Sequence, residues 1–194
     1  MKKLILSVLL IPAVFSAQQT VSRDAEIANY VSQVSADSLK SHINKLVSFG
    51  TRHTMSSTTD AKKGIGAARN WVLSKFKNYA KNSDGRMEVF LQSQTIQPDG
   101  KRINQPTDLG NAIAILRGTD PNDKRIFMIG GHLDSRVSDV MNNKDFAPGA
   151  NDDGSGVGAV IESARILSQS KFPATIIFVA FSGEEQGLLG AKML

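Results

Sequence analysis

The sequence predicts an α/β domain built on a central mixed, largely parallel sheet, and three observations carry that expectation. Residues 125–130 and 175–181 are short apolar runs of strand length, and the second is almost continuously apolar, as a strand buried on both faces requires. Between them, residues 155–168 place Val157, Val160, Ile161 and Ile166 on one side at helical spacing. A strand, loop, helix, strand order needs a crossover, and crossovers join parallel strands with a right-handed turn.

Taken in order, the chain opens with Met1-Lys2-Lys3 and an apolar run from Leu4 to Val14, then small residues. A basic start, an apolar stretch too short to span a bilayer and a small-residue site are the marks of a secretory signal, so residues 1–17 are expected to be removed and the protein to be periplasmic or secreted. Residues 24–35 put Ile27, Tyr30, Val31 and Val34 on one helical face, and Asp37 can cap a second helix with Leu39, Ile43, Leu46 and Val47. A polar loop at 56–59 precedes a longer helix, 60–80, whose Ile65, Ala68, Val72, Phe76 and Tyr79 share a face; Trp71, Val72 and Phe76 belong to the core rather than to a binding platform. Residues 87–96 contain no breaker and read as a strand, followed by a Pro98-Asp99-Gly100 turn and a return through 101–104. A further short strand, 111–117, is set off from 125–130 by Gly118-Thr119-Asp120-Pro121-Asn122-Asp123, and the first two of these elements can pair antiparallel. After a long loop, the helix at 155–168 and the strand at 175–181, residues 186–194 look like the opening of another helix without a stop signal, which suggests a fragment.

The chain of 194 residues is long enough for one real core, and 41% hydrophobic with 21% charged residues is a folded composition. The formal charge of +5 includes Lys2 and Lys3, and no basic run is interleaved with aromatics, so a nucleic-acid partner has no support. No run after the leader is long and apolar enough for a membrane helix. With no cysteine in the sequence, disulfides and thiolate ligands are excluded, and any metal must be held by His and carboxylates.

The chemistry gathers in three motifs: Gly131-His132-Leu133-Asp134, Gly149-Ala150-Asn151-Asp152-Asp153-Gly154-Ser155-Gly156 and Ser182-Gly183-Glu184-Glu185. His132 and Glu185 each fall just past the carboxyl end of a predicted central strand, where open sheets place reactive groups. Asp152 comes from the loop between them. A His-plus-carboxylate set favours zinc or a similar divalent ion. Asp134 is placed to hydrogen-bond the second imidazole nitrogen of His132 and fix its tautomer. Neighbouring side chains in Glu184-Glu185 diverge, so one can bind metal while the other acts as general base. Asp153 reads as the cap of the helix that follows, and His53, beside Arg52 in a polar loop, as a structural or surface residue.

These motifs, with Gln186-Gly187-Leu188-Leu189-Gly190 continuing the third, resemble in order and spacing those of the secreted co-catalytic zinc aminopeptidases of bacterial leucyl type, peptidase family M28. The likeness covers 111–194, and Phe49-Gly50-Thr51-Arg52-His53 is similar to a segment often found upstream in that family. The resemblance implies the zinc exopeptidase fold, a three-layer sandwich incomplete here at its C-terminus, as one domain over 18–194. It implies two zinc ions, with His132 on one, Glu185 on the other and Asp152 bridging, Asp134 supporting His132, and Glu184 as general base. The implied substrates are peptides with a free N-terminus, cut at the first peptide bond. A catalytic zinc usually has three protein ligands, and one per ion is lacking here; His42 and His53 match neither position, so this polypeptide is expected to be inactive or very weak. The alternatives are a glutaminyl cyclase relative, a carboxypeptidase for acidic residues, for which no basic pocket is identifiable, and a non-catalytic binding module of the same fold.

Overall fold

Residues 24–194 are described by the computed structural model, and the expected signal segment lies outside them. Helix α1 (Ala25–Ser32) starts where the Asp24 carboxylate accepts the N–H groups of Glu26 and Ile27. Helix α2 (Ala36–Val47) is capped by Ser35, whose hydroxyl accepts the Ser38 N–H. The sequence had suggested Asp37, which instead lies in the first turn with its charge toward the positive end of the helix dipole. Helix α3 (Gly64–Ala80) starts later than the expected residue 60. The polar residues before it hydrogen-bond their own backbone: Ser57 Oγ takes the N–H groups of Thr59 and Asp60, and Asp60 takes those of Lys62 and Lys63.

Strands β1 (Met87–Ile96) and β2 (Thr107–Leu116) form one long antiparallel hairpin, Met87 opposite Leu116 and Ile96 opposite Thr107. The return strand is therefore β2 and not 101–104. That stretch closes the turn, with one Asp99 oxygen accepting the N–H groups of Lys101, Arg102 and Ile103. Strand β3 (Ile126–His132), helix α4 (Gly154–Leu167) and strand β4 (Thr175–Phe181) follow, and β3 and β4 are parallel, as the crossover predicts. The order is β1-β2-β4-β3, with β2 and β4 antiparallel. The sheet is thus mixed, but among the described residues its parallel share is the single β3/β4 pairing, because a hairpin connection can only return its strand antiparallel.

One face of the sheet presents Ala112, Ala114, Leu116, Ile176, Phe178 and Ala180 to Val72 and Phe76 of α3 and to Val157, Val160, Ile161 and Ala164 of α4. Alternation along the strands meets helical spacing here. The helix expected after residue 186 is a single 3₁₀ turn, Ala191–Met193, since Gly187 and Leu188 take φ values of 106° and 61° that no α-helix accommodates.

His42 on α2 is buried edge-on to Trp71, ring centroids 5.8 Å apart. Burial, with help from the Lys75 charge, holds its pKa below the ordinary 6.5. The unfolded chain then binds a proton that the folded chain refuses, so stability present above pH 6.5 is lost as pH falls below that value. The thermal midpoint is expected to drop between about pH 7.5 and about pH 5.5, and to drop less in His42→Gln. An equal drop in both proteins would remove His42 as the source.

Candidate metal centre

β3 and β4 end side by side, His132 level with Phe181, so the residues that follow both strands emerge at one carboxyl edge of the sheet. His132 is the last residue of β3, and Glu184 and Glu185 follow Gly183, whose φ of 75° turns the chain after β4. Asp152 reaches the same edge from the connection before α4. Gly149 makes that reach possible: its φ is 46°, and a Cβ there would lie 2.5 Å from Ser135 Cβ and 2.7 Å from the Asp152 carbonyl oxygen. The Asp152–Asp153 peptide is cis.

The imidazole of His132 organises the centre. Its Nε2 lies 2.9 Å from Asp152 Oδ1 and 3.9 Å from Glu184 Oε2. Its Nδ1 lies 3.1 Å from the main-chain carbonyl oxygen of Asp134. A carbonyl only accepts, so Nδ1 carries the proton and a neutral ring turns its Nε2 lone pair toward Asp152. At 2.9 Å the two lone pairs need a proton between them, which makes the ring an imidazolium, or both are directed at one cation beside the pair. Burial pulls the His132 pKa down, but the charges of Asp134, Asp153 and Glu184 outweigh it and hold the imidazole above its ordinary value. Positive charge is favoured at this spot, and an imidazole with carboxylates suits a divalent ion.

The sequence placed Asp134 as the partner of the second imidazole nitrogen, and the group of Asp134 that makes this bond is its main-chain carbonyl, while Asp134 Oδ1 stands 3.8 Å from Nδ1. The carboxylate is wholly buried and serves the other strand. Its Oδ1 accepts the Glu184 N–H at 3.1 Å, and its Oδ2 accepts the Glu185 N–H at 3.1 Å and the Thr54 hydroxyl at 2.9 Å. Burial pushes this carboxyl up, against the Thr54 hydroxyl, the His132 charge and the two N–H groups. One residue therefore orients His132 through its carbonyl and the acidic pair through its side chain.

Glu185 stands apart from His132. Its Oε2 accepts the Arg136 Nε–H at 2.8 Å, and it shares a small polar cavity with Arg136, Val137, Ser138 and Asp152. Among the described residues no three His, Asp or Glu side chains are gathered closely enough to hold an ion by themselves. The structure thus brings together His132, Asp152 and Glu184, places Glu185 next to Asp152 across that cavity, and leaves Glu185 bonded to arginine through one oxygen. The donors fit a divalent cation at His132 and Asp152, and Glu185 retains a second oxygen for one.

Asp153 caps α4 as expected, Oδ1 accepting the Gly156 N–H at 2.9 Å, and its Oδ2 also accepts the His132 N–H at 2.9 Å. The cap bolts the helix to the end of β3. Asp153→Ala is expected to cost about 2 kcal/mol from the lost cap and the freed N–H, read as a lower urea midpoint; an unchanged midpoint would mean water replaces both bonds. Sequence reasoning missed Arg136 and Thr54, and it left His53 open between a structural and a surface residue, of which the structure shows the structural one. His53 is 1% exposed, with Nδ1 accepting the Met55 N–H and Nε2 donating to the Val140 carbonyl. A histidine in a polar loop carries no local sign of burial, because the segments that cover it are distant in sequence.

Peptidase family M28 matches residues 111–194. A protein named Probable zinc metalloprotease from Leptosphaeria maculans is 46% identical over 171 residues, which is 88% of this chain and 39% of that protein. One of the same name from Pyricularia oryzae is 44% identical over 171 residues, 88% of this chain and 34% of its own. The chain thus spans little more than a third of the length of these curated relatives. Among solved structures, the LapA aminopeptidase of Legionella pneumophila superposes with a TM-score of 0.67 at 22% identity, covering 100% of this chain and 46% of that one. A glutaminyl cyclase of Tannerella forsythia superposes at 0.58 with 21% identity, covering 77% and 47%. At such identities these structures establish the fold alone, an α/β fold with a mixed central sheet shared with a Zn-dependent exopeptidase of Parabacteroides distasonis at a TM-score of 0.57, 24% identity, and coverage of 78% and 47%. Residues 111–194 thus match peptidase family M28, and the chain is similar over 88% of its length to proteins named zinc metalloprotease.

Proposed function

We propose that the protein is an exported, zinc-dependent aminopeptidase whose substrates are peptides with a free N-terminus. The observation that carries the reading is the convergence of His132 Nε2, Asp152 Oδ1 and Glu184 Oε2 at the carboxyl ends of two parallel strands. His132 would hold one zinc, Glu185 a second, and Asp152 both. When bound, zinc polarises the scissile carbonyl and acidifies water. The zinc metalloprotease name of the relatives and the fold shared with LapA support the same chemistry.

The chain's own residues do the rest. Asp134 keeps the His132 ring in the tautomer whose Nε2 is free to bind, and holds the main chain of Glu184 and Glu185 in place. Glu184 is close to the His132–Asp152 pair without bonding to it, so its carboxylate is available to take a proton from the attacking water and pass it to the leaving amine. Arg136 steadies Glu185 through one oxygen. Within these residues each zinc finds one terminal donor and a share of Asp152, where a catalytic zinc usually has three protein ligands. The chain by itself is accordingly inactive or very weak in this reading.

Release of product from leucyl anilide and its N-acetylated twin tests the proposal, using this chain and a chimera continued with the remaining length of the Leptosphaeria relative. Only the chimera should cleave, only the unblocked substrate should react, and chelation should abolish a rate that zinc restores. A folded, zinc-loaded chimera that is silent on both substrates overturns the aminopeptidase reading, and cyclisation of N-terminal glutamine becomes the assay to run, since that chemistry is hosted on the same fold.

A further inference from the structure

Arg52 is 1% exposed, and every hydrogen bond its guanidinium makes among the described residues goes to a main-chain carbonyl. Nε donates to Leu133 at 2.7 Å, one terminal nitrogen to Leu46 at 3.1 Å and Pro148 at 2.8 Å, and the other to Gly149 at 2.9 Å. Burying this charge is costly enough to bring its pKa down to about 10, with Asp134 and Asp153 partly offsetting the loss of water. A carbonyl-only cage for a buried cation is an expensive way to join loops, and apolar side chains of similar volume would be cheaper. What distinguishes the arginine is where the carbonyls are.

Leu133 is the residue between His132 and Asp134. The Gly149 carbonyl accepts a second hydrogen bond, from the Gly154 N–H at 2.9 Å, and so closes the turn that carries Asp152. The planar fork therefore spans from the Leu133–Asp134 peptide, one residue past His132, to the base of the Asp152 turn. Backbone contacts run beside it: the Arg52 N–H donates to Ser135 Oγ, and that hydroxyl donates to the Ala147 carbonyl. Resting on the metal reading above, we propose that Arg52 is a positioning residue for the metal pair, its guanidinium setting the separation of His132 from Asp152. A lysine keeps the charge but cannot hold carbonyls of both segments in one plane.

The test is cobalt and zinc affinity of the full chain by calorimetry and by the cobalt absorption band, for wild type, Arg52→Lys, Arg52→Met and Phe76→Leu. Phe76 is fully buried in the core away from the centre, so its variant controls for lost stability. Arg52→Lys should weaken metal binding by about 10- to 100-fold, the range for residues that support ligands, and change the cobalt band, while Phe76→Leu with a similar loss of thermal midpoint should bind as wild type does. Wild-type affinity in Arg52→Lys, or an equal loss in Phe76→Leu, overturns the inference and leaves the metal reading standing. A wild type that binds neither metal overturns the inference for this chain and leaves the aminopeptidase reading to the assay on the chimera. Should both Arg52 variants fail to fold, the wild-type protein decides: zinc should slow hydrogen exchange at the Arg52 Nε–H measured by NMR, and an unchanged rate overturns the inference.

Discussion

Asp134→Ala is expected to lower the free energy of unfolding by about 3–5 kcal/mol and to abolish metal binding, the largest effect of any single change at the centre. The alanine removes the acceptor of three donors at once: the Thr54 hydroxyl and the N–H groups of Glu184 and Glu185. Each donor left without a partner costs about 1–3 kcal/mol, and Thr54, only 2% exposed, has little water to turn to. The loop after β4 would lose what holds it to the end of β3. Asp134→Asn is expected to fall between, because its one oxygen can serve one N–H while its amide nitrogen meets the other as donor against donor. Urea denaturation with cobalt titration checks both variants. An Asp134→Ala protein with a wild-type midpoint would show that the buried carboxylate contributes nothing net, its desolvation cancelling its bonds.

Glu184→Gln should reduce kcat of the active chimera by about 10²- to 10⁴-fold, the usual worth of a general base, while metal content and thermal midpoint stay at wild-type values. The substitution keeps size and the main-chain bond to Asp134 and removes only the ability to take a proton. Glu185→Gln should behave in the opposite way, losing metal and the ion pair to Arg136. Metal loss in Glu184→Gln would reassign Glu184 as a ligand, and retained kcat would remove it from proton transfer.

The chain's own pattern carried much of this. Residues 87–96 and 175–181 lack breakers and have the apolar content of strands, and those strands are β1 and β4 to the residue. The Asp153 cap before α4 was legible because a helix N-terminus leaves N–H groups that a short polar side chain can reach locally. Three motifs at strand ends marked out His132, Asp152, Glu184 and Glu185, and their order is enough to put them near one edge of a sheet. Where short polar side chains compete for the backbone, as at Ser35 against Asp37 or along 57–63, local pattern was ambiguous and element starts shifted.

By itself the sequence determined the donor chemistry, His and carboxylate without cysteine, and the strand, helix, strand unit that presents it, because residue type and local periodicity are properties of neighbouring residues. Tertiary structure alone decided that Asp134 turns its carbonyl to His132 and its carboxylate to the acidic pair, that Arg136 takes one oxygen of Glu185, and that Arg52 is buried among four carbonyls. Those partners lie roughly 50 to 100 residues apart or depend on which way a peptide group faces. A polar group's partner is chosen by what folding leaves within reach after water is excluded, and that choice is made only when the distant segments have packed.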